Sequence, residues 1–175
     1  MAPIICLVTG PAGSGKSTIA EQLARSFPKS ARIDVDYIRH TIRSGKVRPF
    51  PYTKEAKSQV KLAIQNTCDL AKNFTKAGFS VFIDDVVVLK ENLDLYFKNL
   101  HKHNFFAIVL LPNKTILEQR DIQRGKQLAM GTRALQLHDE FSKQLAKEKR
   151  WHIIDTSKHT VEQTTKEILK LLKTA

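Results

Sequence analysis

Apolar and polar residues follow two rhythms along this chain. Short unbroken apolar runs recur, each closed by a turn residue: "PIICLVT" at 3–9 stops at Gly10, and "FFAIVLL" at 105–111 stops at Pro112. Runs of this kind read as strands buried on both faces. Further short strands are predicted at "ARIDV" (31–35), "FSVFIDDVVV" (79–88) and "WHIIDT" (151–156). Between the runs, apolar positions repeat at helical spacing, as at Ile19, Ala20, Leu23, Ala24 and Phe27. Helices are predicted over 16–27, 36–45, 53–77, 91–101, 114–124, 134–148 and 160–172, with Thr53 as a cap and Gly45 and Gly78 as stops. Strands alternating with helices imply parallel pairing with both sheet faces covered. The expectation is one α/β domain over 1–175, a doubly wound five-stranded parallel sheet.

Composition narrows this. The 175 residues are 42 % apolar and 26 % charged, which suits one soluble domain with a sizeable core. No apolar stretch approaches the roughly 20 residues of a membrane span, and the N-terminus has neither a basic start nor a small-residue cleavage site. Cys6 and Cys68 make no disulfide framework and no metal-ligand spacing, so a cytoplasmic, reducing setting is expected. A formal charge of +12 favours an anionic ligand without naming it.

The segment "GPAGSGKST" at 10–18 names one. Gly10, Gly15, Lys16 and Ser17 match G-x-x-x-x-G-K-[ST], with a predicted strand before and a helix after. Such a loop wraps phosphate oxygens with inward-facing N–H groups, and the helix start adds unpaired donors and a positive dipole end. Gly10, Ala12, Gly13, Ser14, Gly15, Lys16, Ser17 and Thr18 are therefore the expected nucleotide-binding residues. Lys16 reaches the outer phosphates and Ser17 ligates their magnesium ion. ATP and Mg2+ are the expected cosubstrate and cofactor of a P-loop NTPase or kinase-like fold.

A switch GTPase is not expected, because "NKTI" at 113–116 lacks the aspartate of a guanine-reading motif and no D-x-x-G follows the third strand. A small kinase needs a base, an acid that supports magnesium, and an arginine lid. Asp36, after the second strand, is the expected base, with a helix N-cap as its structural alternative. Arg39, three residues on, shares its helix face and is expected to bind an anionic part of the acceptor. Asp34 is divided between site and structural roles. Asp84 and Asp85 end the third strand; one should support magnesium through water, and alternation should turn the two to opposite faces, with Asp85 favoured for the site and for acceptor contact. Arg120 and Arg124, four apart in "LEQRDIQRGK", are the lid arginines of a segment around 118–135. Arg133 and His138 are weaker site residues. "DTSKHT" (155–160) is divided between a plain loop and a place beside adenine.

In order, "GPAGSGKST", "DVDYIRH", "FIDDV" and "RDIQRGK" resemble the motifs of small P-loop hydroxyl kinases, in particular the chloramphenicol phosphotransferase-like group. "DYIR", "YTKEAK" and "QRGKQ" are similar to the kinase domain of bacteriophage polynucleotide kinase, and "DVDYIRH" is similar to adenylylsulfate kinases. The resemblance implies a five-stranded sheet, Asp36 as base and Arg120 and Arg124 in the lid. It leaves the acceptor open, since acceptor-binding segments vary among these enzymes.

The reading is an ATP-dependent kinase that transfers the γ-phosphate to a hydroxyl of a small molecule, in a partly apolar cavity with "RSGKVRPFPYT" (43–53) in its wall. Two alternatives stand beside it. A polynucleotide 5′-hydroxyl kinase draws on the cations Arg39, Arg43, Lys46, Arg48, Lys54, Lys57 and Lys61. A non-catalytic nucleotide-binding module would keep the loop without turnover.

Overall fold

A computed structural model describes residues 2–125, 127, 129–145 and 148–173. Positions 146 and 147 of the helix expected over 134–148 and two positions of the expected lid, 126 and 128, lie outside the described residues.

The five predicted strands are β1 (Ile5–Thr9), β2 (Ser30–Asp34), β3 (Ser80–Asp84), β4 (Phe105–Leu110) and β5 (His152–Ile154). All pair in parallel, in the order β2-β3-β1-β4-β5. The helices are α1 (Lys16–Arg25), α2 (Val35–His40), α3 (Lys54–Lys76), α4 (Lys90–Leu100), α5 (Lys114–Gln123), α6 (Thr132–Leu145) and α7 (Val161–Lys173).

Pleating explains the two layers. On one face, Ile5, Leu7, Val81, Ile83, Ala107 and Val109 pack against α3, α4 and α6. On the other, Ile4, Cys6, Val8, Phe82, Ile108 and Leu110 meet α1 and α7. Both cysteines are free and buried, and burial pushes the Cys68 thiol up to about 12. Trp151 lies in the core, and Phe105 packs against it.

Two expected boundaries move. The helix expected over 36–45 ends at His40, with Thr41 as its C-cap, and the chain then runs as a loop to Thr53. The third strand ends at Asp84 rather than continuing through "DVVV", because Val87 and Val88 turn away from the sheet into the core beneath α3 and α4. Thr53 caps α3 as expected, its hydroxyl oxygen accepting the Ala56 N–H at 3.1 Å. Because every strand is parallel, the segments after β1, β2, β3 and β5 emerge at one carboxyl edge, where open α/β sheets place ligands.

Candidate active site

The loop after β1 begins with Gly10 at φ +146°, where an added Cβ would sit 2.3 Å from the Leu110 carbonyl oxygen. Gly10 lets the chain leave the sheet against the end of β4. Gly15, at φ +95°, is the N-cap residue of α1 and carries no capping side chain, leaving the first-turn donors to a ligand. Ser14 Oγ is buried with no hydrogen-bond partner among the described residues, another donor left for a ligand. Lys16 is buried and its ammonium donates to the Pro11 carbonyl at 3.2 Å. Burial pulls its pKa down, and the Asp84 carboxylate pushes it back up.

Two cavities open on either side of Lys16. The first, about 450 Å3, is walled by Gly13 to Ile19 and by Thr156, His159, Thr160, Val161 and Thr164 from the segment after β5. The second, about 250 Å3, runs from Ala12 and Lys16 past Asp36, Asp84 and Asp85 to Phe50, Tyr52 and Met130. Lys16, Ser17 and Arg124 line both. The phosphate cavity thus meets the carboxylate cavity at one lysine, one serine and one arginine.

Gly13, Ser14, Gly15, Lys16, Ser17, Thr18, Arg120 and Arg124 line the phosphate cavity. Ala12 lines the second cavity instead, and Gly10 lines neither, its part being the backbone passage described above. Asp36 lines the second cavity, largely exposed, its carboxylate 3.1 Å from Arg39. The capping role belongs to Asp34, whose side chain accepts the Asp36 N–H at 3.0 Å. Burial raises the Asp34 pKa, with Asp84 adding to it, while Arg32 holds both carboxylates from 3.3 and 3.0 Å.

Asp84 and Asp85 turn to opposite faces, as alternation predicts: Asp84 meets Arg32 on the α1 side and Asp85 meets Tyr96 of α4 on the other, and both line the second cavity at the sheet edge. The Asp85 N–H still donates to the Val8 carbonyl of β1 at 3.3 Å, so the pleat carries on one residue past Asp84. Asp85 is gripped by the Tyr96 hydroxyl at 2.8 Å and by the Val86 N–H at 2.7 Å. Burial pushes its carboxyl up to about 6, and these two donors oppose the shift.

Arg120 lines the first cavity and bonds across it. It donates to the Thr156 carbonyl at 2.9 Å and to the Thr156 hydroxyl at 3.2 Å, joining α5 to the segment after β5. Asp121 lies between Arg120 and Arg124, in a polar stretch that gives no sign of burial. It is buried, and one of its carboxylate oxygens accepts the Met130 and Gly131 N–H groups, both at 2.8 Å. It therefore ties the segment that follows Arg124 back to α5. His138 packs with Nε2 3.1 Å from the Pro112 carbonyl oxygen and lines neither cavity. Arg133 does line the second cavity, its guanidinium stacked 4.0 Å over the Phe50 ring and hydrogen-bonded to Tyr52 and Glu140. "NKTI" has a structural role: Asn113 caps α5 by accepting the Ile116 N–H.

The AAA domain family matches residues 5–143, most of the chain. This chain belongs to that family. No curated protein sequence matches it. Among solved structures, a gluconokinase from Sinorhizobium meliloti 1021 superposes with a TM-score of 0.70 at 17 % identity, over 99 % of this chain and 93 % of that one. The APS kinase CysC of Mycobacterium tuberculosis, solved with AMPPNP and APS, gives 0.67 at 18 % identity over 98 % of each chain. A chain of the Pnkp1/Rnl/Hen1 RNA repair complex gives 0.64 at 20 % identity, over 90 % of this chain and 50 % of that one. The fold of this AAA-domain protein is that of the P-loop kinases. Among the described residues, no helix is long and apolar enough to cross a membrane, and no cluster of three metal-binding side chains occurs.

Proposed function

We propose that this protein is an ATP-dependent kinase that phosphorylates a hydroxyl group of a small molecule. The observation that carries the reading is the shared boundary of the two cavities, where Lys16, Ser17 and Arg124 face both. ATP lies in the first cavity with its phosphates in the loop around Ser14 and Gly15, so that the γ-phosphate arrives beside Lys16. The acceptor lies in the second, its hydroxyl at Asp36. The hydroxyl oxygen bonds to the γ-phosphorus as the bond to the bridging oxygen breaks; its proton passes to Asp36, and the charge left on the nucleotide is met by Lys16 and Arg124. Arg39 holds the Asp36 carboxylate in place from 3.1 Å. Asp85 takes a further hydrogen bond from the acceptor.

The oxygen donors present suit magnesium, which keeps most of its waters and takes few protein ligands. The exposed Ser17 hydroxyl would hold it directly and Asp84 through water; it supplies charge neutralisation on the phosphate oxygens. The two free cysteines suit a cytoplasmic enzyme. The resemblance to the chloramphenicol phosphotransferase-like group supports the same assignment of roles, and the fold shared with gluconokinase and APS kinase supports phosphoryl transfer.

One observation favours a polynucleotide acceptor: Arg43, Lys46 and Arg48 are exposed along the loop that carries Phe50. Labelled phosphate from ATP, offered with small alcohols and with 5′-hydroxyl oligonucleotides over a range of salt, separates the readings. Transfer to a small alcohol with a shallow salt dependence supports the proposal; transfer confined to oligonucleotides and falling steeply with salt overturns it.

A further inference from the structure

The second cavity says more about its occupant. Four of its five cations are paired with carboxylates: Arg39 with Asp36 at 3.1 Å, Lys57 with Glu91 at 3.1 Å, Arg124 with Asp121 at 3.4 Å and Arg133 with Glu140 at 2.5 Å. Lys16 alone lacks a carboxylate within ion-pair distance among these, and it stands at the phosphate end. A cavity built for an anionic acceptor would keep a guanidinium or ammonium unmatched at the far end, because a buried or half-buried anion needs a partner.

Apolar surface gathers there instead. Eight large hydrophobic residues are exposed among those described, and three of them, Phe50, Val86 and Met130, line this cavity. An exposed apolar patch beside polar reactive groups marks a ligand wall. Phe50 is also packed by two neighbours. Its ring lies 4.0 Å beneath the Arg133 guanidinium and edge-on to Tyr52 at 5.4 Å, yet the residue stays 45 % exposed. Tyr52 in turn donates to Glu140 at 2.7 Å, so the shelf is braced from α6. A packed, exposed aromatic face costs little further ordering when a ligand packs on it.

We propose that the acceptor is an uncharged alcohol whose ring or short apolar chain packs on Phe50, Val86 and Met130, with Phe50 as the residue that selects it. This rests on the kinase reading above, and it names the substrate class of the same site. The test uses the full chain with four probes: 2-phenylethanol, glycerol, gluconate and a 5′-hydroxyl oligonucleotide. Transfer from ATP and direct binding in the presence of ADP, by ligand-observed NMR, are both measured. The expected result is a kcat/KM for 2-phenylethanol at least about tenfold above that for glycerol. Phe50→Ala should raise the KM for 2-phenylethanol about tenfold while leaving the KM for ATP unchanged, and Phe50→Leu, which keeps an apolar side chain, should restore part of it. Preference for gluconate, or indifference to Phe50→Ala, overturns the inference and leaves the kinase reading standing; transfer confined to the oligonucleotide overturns both the inference and the small-molecule reading. Phe50-dependent binding of 2-phenylethanol without transfer to any probe upholds the inference and overturns the kinase reading.

Discussion

The two cavities that meet at Lys16 are made in different ways. The phosphate cavity takes much of its wall from one contiguous stretch, Gly13 to Ile19, and its chemistry is largely backbone N–H geometry at a helix start. The carboxylate cavity draws its wall from the ends of β2 and β3, the loop before α3, α3 itself and the segment leading into α6, and its chemistry is carried by side chains. A contiguous, backbone-made site is tied to a short motif and tolerates little change. A side-chain-made site, assembled from distant segments, can vary piece by piece while the sheet that carries it stays the same.

That contrast can be broken or sharpened by substitution. The largest effect is expected at the shared boundary. Lys16→Ala should lower phosphoryl transfer by about 1,000-fold or more, since it removes the cation that meets the developing charge; a radiolabel assay reads it. Gly10→Ala should follow. Its Cβ would meet the Leu110 carbonyl oxygen at 2.3 Å, and the backbone sits at φ +146°. A stability loss of about 2–4 kcal/mol is expected in chemical denaturation, together with weaker ATP binding.

On the carboxylate side the expected effects are smaller and depend on pH. Asp85 has its carboxyl pushed up to about 6 in the folded protein, against 3.8 for the ordinary group. Between those values the folded state holds more protons than the unfolded one, so stability falls as pH rises through the window. Replacing Asp85 by Asn removes this penalty. The stability of the variant relative to wild type should therefore improve by about 2 kcal/mol between pH 4 and pH 7. A difference that stays flat over that range would show that Asp85 ionises as an ordinary carboxylate. Smallest of all, Thr53→Ala should cost about 1 kcal/mol through loss of the cap on α3. Urea denaturation measures it, and the affinity for ATP should not move.

The same contrast explains what was legible in the sequence. β1, β4 and the phosphate loop are read from contiguous runs, so their place and role are visible in the order of residues. The parallel sheet follows from the alternation of elements, but the strand order β2-β3-β1-β4-β5 does not, because pairing partners are set by packing across the chain. Asp34 and Asp36 both suit a helix start; only the fold shows that Asp34 takes the N–H and leaves Asp36 facing the cavity. Asp121 looks like one charge in a polar stretch, and its two bonds to Met130 and Gly131 span nine and ten residues. The Phe50, Tyr52, Arg133 and Glu140 shelf joins residues more than eighty positions apart and has no linear signature. The opposite facing of Asp84 and Asp85 was legible because strand alternation holds through the end of β3.

The central claim is that a hydroxyl at Asp36 receives the phosphate held beside Lys16. Asp36→Asn tests it most directly, with ATP affinity measured by calorimetry and transfer by labelled phosphate on the same preparation. The account predicts unchanged ATP affinity and a fall in transfer of about 100-fold or more. Transfer by the variant at the wild-type rate would contradict it.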